Sequence, residues 1–198
     1  MRGRALFLTG TDTGVGKTWV SARLLEGWRA RGLRVAGLKA AESGCRPVAE
    51  DDEALFAAAG AWQPERCRYR FEPAVAPGVA ADDAGVEIDF ALIATQVQTL
   101  SDVADRVIVE GAGGWLAPMG SGRTIETLAQ VLGLAVLVVA RAGLGTINHA
   151  ALTACVAAAA GLRVRGFVLS HPTPSRDESS DGNAAAITEL TGLRCLGV

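Results

Sequence analysis

Nine residues near the amino terminus constrain the fold more than any other stretch. Gly10–Thr18 reads GTDTGVGKT, between a short apolar run, Arg4–Thr9 (RALFLT), and a stretch from Lys17 to Ala30 with apolar residues at Val20, Leu24, Leu25 and Trp28. A buried strand, a glycine-rich turn and a helix opening on Gly-Lys-Thr form the context that a phosphate-binding loop demands. Successive backbone N–H groups and the helix N-terminus cradle an anion there. Lys17 is placed to reach the β- and γ-phosphates, and the Thr18 hydroxyl to hold Mg²⁺. The spacing departs by one residue from G-x-x-x-x-G-K-[ST], because Thr11 stands at the first glycine position and Gly10 one earlier. The plain alternative is a strand-to-helix turn with no ligand.

Beyond this loop the pattern alternates. Leu33–Leu38 (LRVAGL), Arg106–Glu110 (RVIVE), Ala135–Ala140 (AVLVVA) and Val164–Ser170 read as strands, and Arg194–Val198 as the start of another. Asp51–Ala59, Asp89–Leu100, Thr124–Leu132, Thr146–Ala160 and Asn183–Thr191 read as helices. Glu65–Gly85, with Pro73 and Pro77, reads as irregular, and Pro172–Gly182 as a polar, mobile loop. Continuous apolar strands separated by helices predict a mainly parallel sheet covered on both faces. The expectation is one doubly wound α/β domain of three layers, α/β/α, over residues 1–198. With 49% hydrophobic and 20% charged residues, the chain is not a disordered one.

Charge and cysteine usage narrow the function classes. A net charge of −2 supplies no bulk basic surface, so nucleic acid and membrane are not expected partners. The longest apolar run, Val131–Ala140, falls short of the ~18 residues of a membrane span. The start of the chain lacks the apolar stretch of a signal peptide. Cys45, Cys67, Cys155 and Cys195 form no C-x-x-C and have no histidine at zinc spacing, so they read as reduced thiols in a cytoplasm. Seventeen of the 19 basic residues are arginine; Lys17 and Lys39 are the two lysines. Lysine is a compact point charge and arginine a planar fork, so these positions are candidates for a role a fork cannot fill. Codon bias is the plain alternative.

The candidate chemistry gathers where strands end. In doubly wound sheets ligands bind beyond the carboxyl ends of the strands. Glu110 ends its strand ahead of GAGG, on the edge that carries the phosphate loop, and Gly111, Gly113 and Gly114 let backbone approach a ligand. A Mg²⁺–nucleotide site uses one or two carboxylates with phosphate oxygens and water. Glu110 is one candidate and Asp52 the other, with Asp51 and Glu53 as rivals to Asp52. Lys39 ends the second strand on the same edge and could offset charge developing in a phosphoryl transfer; its plain reading is a lysine snorkelling at a strand end. Ser43 is close enough in sequence to reach the same cleft. Gly143–His149 (GLGTINH) opens another helix and suits a carboxylate substrate. His149 reads as a structural first-turn residue, and His171 has no nameable partner. No N-K-x-D guanine reader is present, and Asp12 stands where partitioning ATPases carry a second loop lysine.

Taken together, TGTDTGVGKT (9–18), GLKAAESG (37–44), VEGAGGWLAP (109–118) and GLGTINHA (143–150) resemble the dethiobiotin synthetase family, from residue 5 to about residue 170. The resemblance implies an ATP- and Mg²⁺-dependent cyclo-ligase that forms the ureido ring of dethiobiotin from 7,8-diaminopelargonate and CO₂. An amine is carbamylated, the carbamate takes the γ-phosphoryl group, and the neighbouring amine closes the ring and expels phosphate. It implies that Gly14, Val15, Gly16, Lys17, Thr18 and Trp19 surround the phosphates, with Lys17 contacting them. Thr18, Asp52 and Glu110 would hold Mg²⁺, and Lys39 would be the second active-site lysine. Ser43 would contact substrate, and Gly111, Ala112 and Gly113 would lie along the nucleotide. It implies a homodimer in which Gly145, Thr146 and Asn148 of one subunit bind the substrate carboxylate of the other.

Some positions depart from the family. Lys39-Ala40-Ala41 replaces the usual K-P-V, and Gly78 in APGVAA replaces the histidine of S-P-H. Ser170 and His171 stand where the adenine-reading asparagine usually ends its strand, so relaxed base selection is expected of them. The family commonly continues past CLGV through an L-G-x-I-P segment that helps cover the base, which points to weaker cover here. The rival readings are a related amidoligase, a nucleotide-dependent switch or positioning protein, and a degenerate nucleotide-binding paralogue.

Overall fold

The computed structural model describes residues 4–171 and 180–198. In chain order the elements are β1 (Ala5–Gly10), α1 (Lys17–Arg29), β2 (Val35–Lys39), β3 (Glu42–Ser43), α2 (Glu50–Ala58), β4 (Arg70–Phe71) and α3 (Pro77–Asp83). There follow α4 (Phe90–Val103), β5 (Arg106–Gly114), α5 (Ile125–Leu132), β6 (Ala135–Arg141), α6 (Thr146–Ala159), β7 (Val164–Ser170) and α7 (Ser180–Thr191). Five strands form one sheet in the order β2-β5-β1-β6-β7, and every neighbouring pair is parallel. All five carboxyl ends therefore lie on one edge. β3 and β4 form a separate two-stranded sheet.

The strands read as unbroken apolar runs because both faces are covered, and their alternate residues enter two different cores. Phe7, Leu38, Val107, Val109, Val136, Val138 and Phe167 pack with residues of α3 to α7. Leu8, Val35, Ile108, Leu137 and Val139 pack on the other face with Val20 and Leu25 of α1 and Leu55 and Ala58 of α2. The result is the expected three-layer α/β/α arrangement. Helix ends follow local chemistry: Asp89 caps α4 by accepting from Ala91 and Leu92 N–H, and Thr124 forms a capping box with Thr127 at the start of α5.

Three stretches differ from their sequence-based reading. Glu65–Gly85 is not wholly irregular, since it contains β4 and α3. Pro77 occupies the first turn of α3, where its missing N–H costs nothing. β5 does not stop at Glu110 but runs on to Gly114, because the glycine run keeps pairing with β1, Gly10 opposite Gly114. At the far end, Arg194–Val198 contributes a single bridge, Cys195 to Phe167, rather than a strand. Most of the expected loop 172–182 lies outside the described residues. No helix among the described residues is long and apolar enough to cross a membrane.

Candidate active site

A cleft of about 750 Å³ opens at the carboxyl edge of the sheet. One wall is the phosphate loop: Gly14, Gly16, Lys17, Thr18 and Trp19 line it, with Asp12 and Thr13. The loop's turn into α1 requires Gly16, which adopts φ 88°, a left-handed conformation costly to other residues. Space demands it too, because a Cβ at Gly16 would lie 2.7 Å from the Ser170 hydroxyl. That hydroxyl donates to the Val15 carbonyl oxygen, so the end of β7 braces the loop. Lys17 is buried, and its Nζ donates to the Asp12 carbonyl at 3.0 Å. Burial, and then Lys39 nearby, push its pKa down to about 8.

The chemical centre lies at the foot of this wall. Parallel register places Lys39 of β2 beside Glu110 of β5. Lys39 Nζ donates to Glu110 Oε1 at 2.7 Å and to Asp51 Oδ2 at 2.5 Å. Lys39 and Glu110 are 3% and 0% exposed, so the pair lies buried at the floor of the cleft, which Lys39 lines. Burial disfavours the ammonium, but the Glu110 and Asp51 carboxylates outweigh it and raise the Lys39 pKa above the ordinary lysine value. Burial acts likewise against the Asp51 carboxylate, yet Lys39 holds its pKa below the usual range. Ser21 donates to the second Glu110 oxygen at 2.7 Å.

Thr18 completes the centre. Its Oγ1 lies 2.7 Å from Asp51 Oδ1 and 2.8 Å from Glu110 Oε1. A hydroxyl has one proton and cannot donate to both carboxylates at once. Three oxygens thus converge, Thr18 Oγ1, Asp51 Oδ1 and Glu110 Oε1, and the hydroxyl proton satisfies only one of its two neighbours at a time, an arrangement that suits a hard cation. Among the described residues no three His, Cys, Asp or Glu side chains are grouped so as to hold a metal ion by themselves. The donor set is therefore two carboxylates and a hydroxyl, the kind that binds Mg²⁺ together with phosphate oxygens and water.

The remaining sequence candidates divide between the cleft and elsewhere. Ser43, Ala112 and Gly113 line the cleft, as does Trp19, which is 64% exposed. Asp52 does not face it. Its carboxylate accepts from Cys67 N–H at 2.9 Å and from Arg66 Nε at 3.0 Å, and it is fully buried on the far side of α2. Its rival Asp51 is the carboxylate at the centre, and Glu53 pairs with Arg66. Gly111 points into the core, where a Cβ would meet Ile125 and Phe7 at 3.3 and 3.4 Å. Ser170 acts on the loop backbone, and His171 is exposed beside it. Gly145, Thr146 and Asn148 open α6 and line no part of this cleft; Thr146 is buried and its hydroxyl has no hydrogen-bond partner among the described residues. His149 is exposed. Gly78 has no room for a side chain, since a Cβ would lie 2.2 Å from the Gly120 nitrogen.

Sequence reading missed Ser21, Glu42 and the Ala74–Pro77 wall. Ser21 carried a usable signal, one turn after Lys17 on the same helix. A larger groove of about 930 Å³ opens at the opposite edge, but the charged residues of its wall are all arginines, and it offers no carboxylate for a metal.

Comparison with known proteins identifies a family. A protein-family model described as an AAA domain matches residues 4–198. The chain is 45% identical over 191 residues to an ATP-dependent dethiobiotin synthetase of Anaeromyxobacter dehalogenans, covering 95% of this chain and 86% of that one. It is 44% identical to the enzyme of that name from Nitrosospira multiformis, covering 99% and 88%, and 39% identical to that of Pseudomonas paraeruginosa, covering 98% and 88%. Among solved structures, the kinase domain of the Escherichia coli tyrosine kinase ETK shares the fold, with a TM-score of 0.57 at 21% identity over 85% of this chain and 67% of that one. Chloroplast FtsY from Physcomitrella patens does so with 0.54 at 16% identity over 98% and 57%. On its relatives and on the fold that carries this centre, the chain belongs to the ATP-dependent dethiobiotin synthetase family.

Proposed function

We propose that this chain closes the ureido ring of dethiobiotin from 7,8-diaminopelargonate, CO₂ and ATP, releasing ADP and phosphate. The observation that carries the reading is the buried Lys39, held charged between Glu110 and Asp51 at the foot of a phosphate loop. Mg²⁺, when bound, would neutralise phosphate charge, with Thr18, Asp51 and Glu110 as the residues holding it. Lys17 and the loop N–H groups orient the γ-phosphoryl group. Lys39 supplies fixed positive charge as the carbamate oxygen attacks and negative charge spreads over the transferring group. No covalent nucleophile is needed, because positioning and charge stabilisation carry most of such a transfer.

The carboxylate end of the diamine requires a second anion site. The start of α6 suits it: a left-handed Gly145, the amino end of a long helix and a Thr146 hydroxyl with no hydrogen-bond partner among the described residues. Those residues line no part of their own chain's cleft. Leu152 and Val156 on α6 are 57% and 38% exposed, an apolar stripe suited to a second copy of this chain. The working enzyme is therefore a homodimer, with each α6 serving the partner's cleft.

The test is incubation with the diamine, Mg–ATP and carbon-13-labelled bicarbonate. The expected product is heavier than the diamine by one carbonyl unit and carries the label. ATP hydrolysis with no labelled ring would instead mark a nucleotide-dependent switch.

A further inference from the structure

The amino end of α2 poses a capping problem. Its first turn carries Glu50, Asp51, Asp52 and Glu53, and the preceding Ala49 has no side chain to accept from the free N–H groups. Glu42 of β3 supplies the acceptor from outside the helix. Its Oε1 accepts from Asp51 N–H and its Oε2 from Asp52 N–H, each at 2.9 Å. Glu42 is 6% exposed, and its own N–H donates to the Tyr69 carbonyl at 2.8 Å, which ties it to the strand region of β4. A carboxylate buried against a turn of four others is an unfavourable cap if capping is the whole purpose; Ser, Asp or Asn at position 49 would serve locally.

The rigid fork does something a local cap does not. Two bonds from one planar carboxylate to consecutive N–H groups fix the rotation of α2 about its axis as well as its position along it. That rotation decides which acidic side chain meets Lys39 and Thr18. β3 also alternates its faces: Ser43 lines the cleft while Glu42 turns to the helix. We propose that Glu42 is a positioning residue of this enzyme, whose two-pronged hold on the first turn of α2 sets the Asp51 carboxylate at the Thr18–Glu110 centre. Glu42 touches no reacting group. The inference rests on Asp51 being the metal-facing carboxylate.

The test measures ADP affinity by calorimetry with Mg²⁺ and with a chelator, alongside thermal unfolding, for wild type, Glu42→Ala, Glu42→Gln, Asp51→Asn and the Glu42→Ala/Asp51→Asn pair. The ratio of the two affinities reports the metal's contribution. Glu42→Ala is expected to cut that ratio about tenfold, the low end for a residue supporting a metal ligand, while metal-free ADP affinity stays within about twofold. Glu42→Gln, which keeps the packing and one acceptor, is expected to fall between. Asp51→Asn is expected to cut the ratio as well, and the double variant no further than Asp51→Asn alone. A lower melting temperature with an unchanged ratio in Glu42→Ala would overturn the proposal, as would reductions that multiply in the double variant. If Glu42→Ala does not fold, an unchanged ratio in Glu42→Gln overturns it. A ratio unmoved by Asp51→Asn would instead sink the metal-facing reading of Asp51 itself.

Discussion

Asp51 and Asp52 follow one another at the start of α2, and a helix sets successive side chains about 100° apart. Only one of the two can face the cleft. Sequence showed that an acidic residue belongs there but not which, because the choice depends on the rotation of α2, and that is set by contacts from Glu42, Arg66 and Cys67, which lie outside the helix. The pair can be separated experimentally. Asp51→Asn is expected to abolish most turnover while leaving the melting temperature near that of wild type. Asp52→Asn is expected to keep the chemistry but lose about 2–3 kcal/mol of stability, less than for a sealed ion pair because Arg66 retains solvent access. Parallel kinetics and thermal unfolding of the two variants check this; the reverse pattern would return the metal role to Asp52. The two lysines were legible for a simple reason: in a chain that writes its other cations as arginine, both fall on one sheet edge. Lys17 adds a pH dependence. Its pKa is lowered to about 8 in the nucleotide-free enzyme, and bound phosphates favour its charged form. Nucleotide affinity is therefore expected to fall as pH rises through about 8, with proton uptake on binding above it. Calorimetry in buffers of different ionisation heat measures the uptake, and its absence would contradict the role given to Lys17.

Among the elements, long ones declared themselves and short ones did not. The five strands of the main sheet and α1 carry continuous or periodic apolar patterns that a buried core imposes. β3, β4 and α3 are too short for periodicity to register, yet they supply the Glu42 fork, Ser43 and the proline wall of the cleft. β5 was cut short because glycine is a poor strand former in isolation, whereas here β1 pairs with the run. β7 ends against the phosphate loop, with the Ser170 hydroxyl bonded to the Val15 carbonyl. A hydroxyl so engaged braces phosphate binding and does not select a base. Turnover is accordingly expected to differ by less than about tenfold, 1.4 kcal/mol, among ATP, GTP and CTP at saturating diamine. Strict use of ATP would show that another residue reads adenine.

For the whole molecule, a single chain presents a complete phosphate and charge centre but leaves the start of α6 outside it. The parallel sheet explains why the first half is shared within the chain: one strand direction brings the ends of β1, β2 and β5 together. The proposed association between chains has only a weak mark in sequence, Leu152 and Val156 on an alanine-rich helix. Leu152→Asp is expected to convert a dimer to a monomer in light scattering and to remove ring formation while retaining Mg–ADP binding. A fully active monomer would place the substrate carboxylate within one chain.

The most direct measurement is the initial rate of phosphate release from Mg–ATP and bicarbonate, with and without 7,8-diaminopelargonate, for wild type and Lys39→Ala. Release that depends on the diamine, and falls by about 10²–10³-fold in Lys39→Ala, is the expected result for a charge that acts on the transferring phosphoryl group. Release that ignores the diamine, or that survives the loss of Lys39, would contradict the assignment of ring closure to this centre.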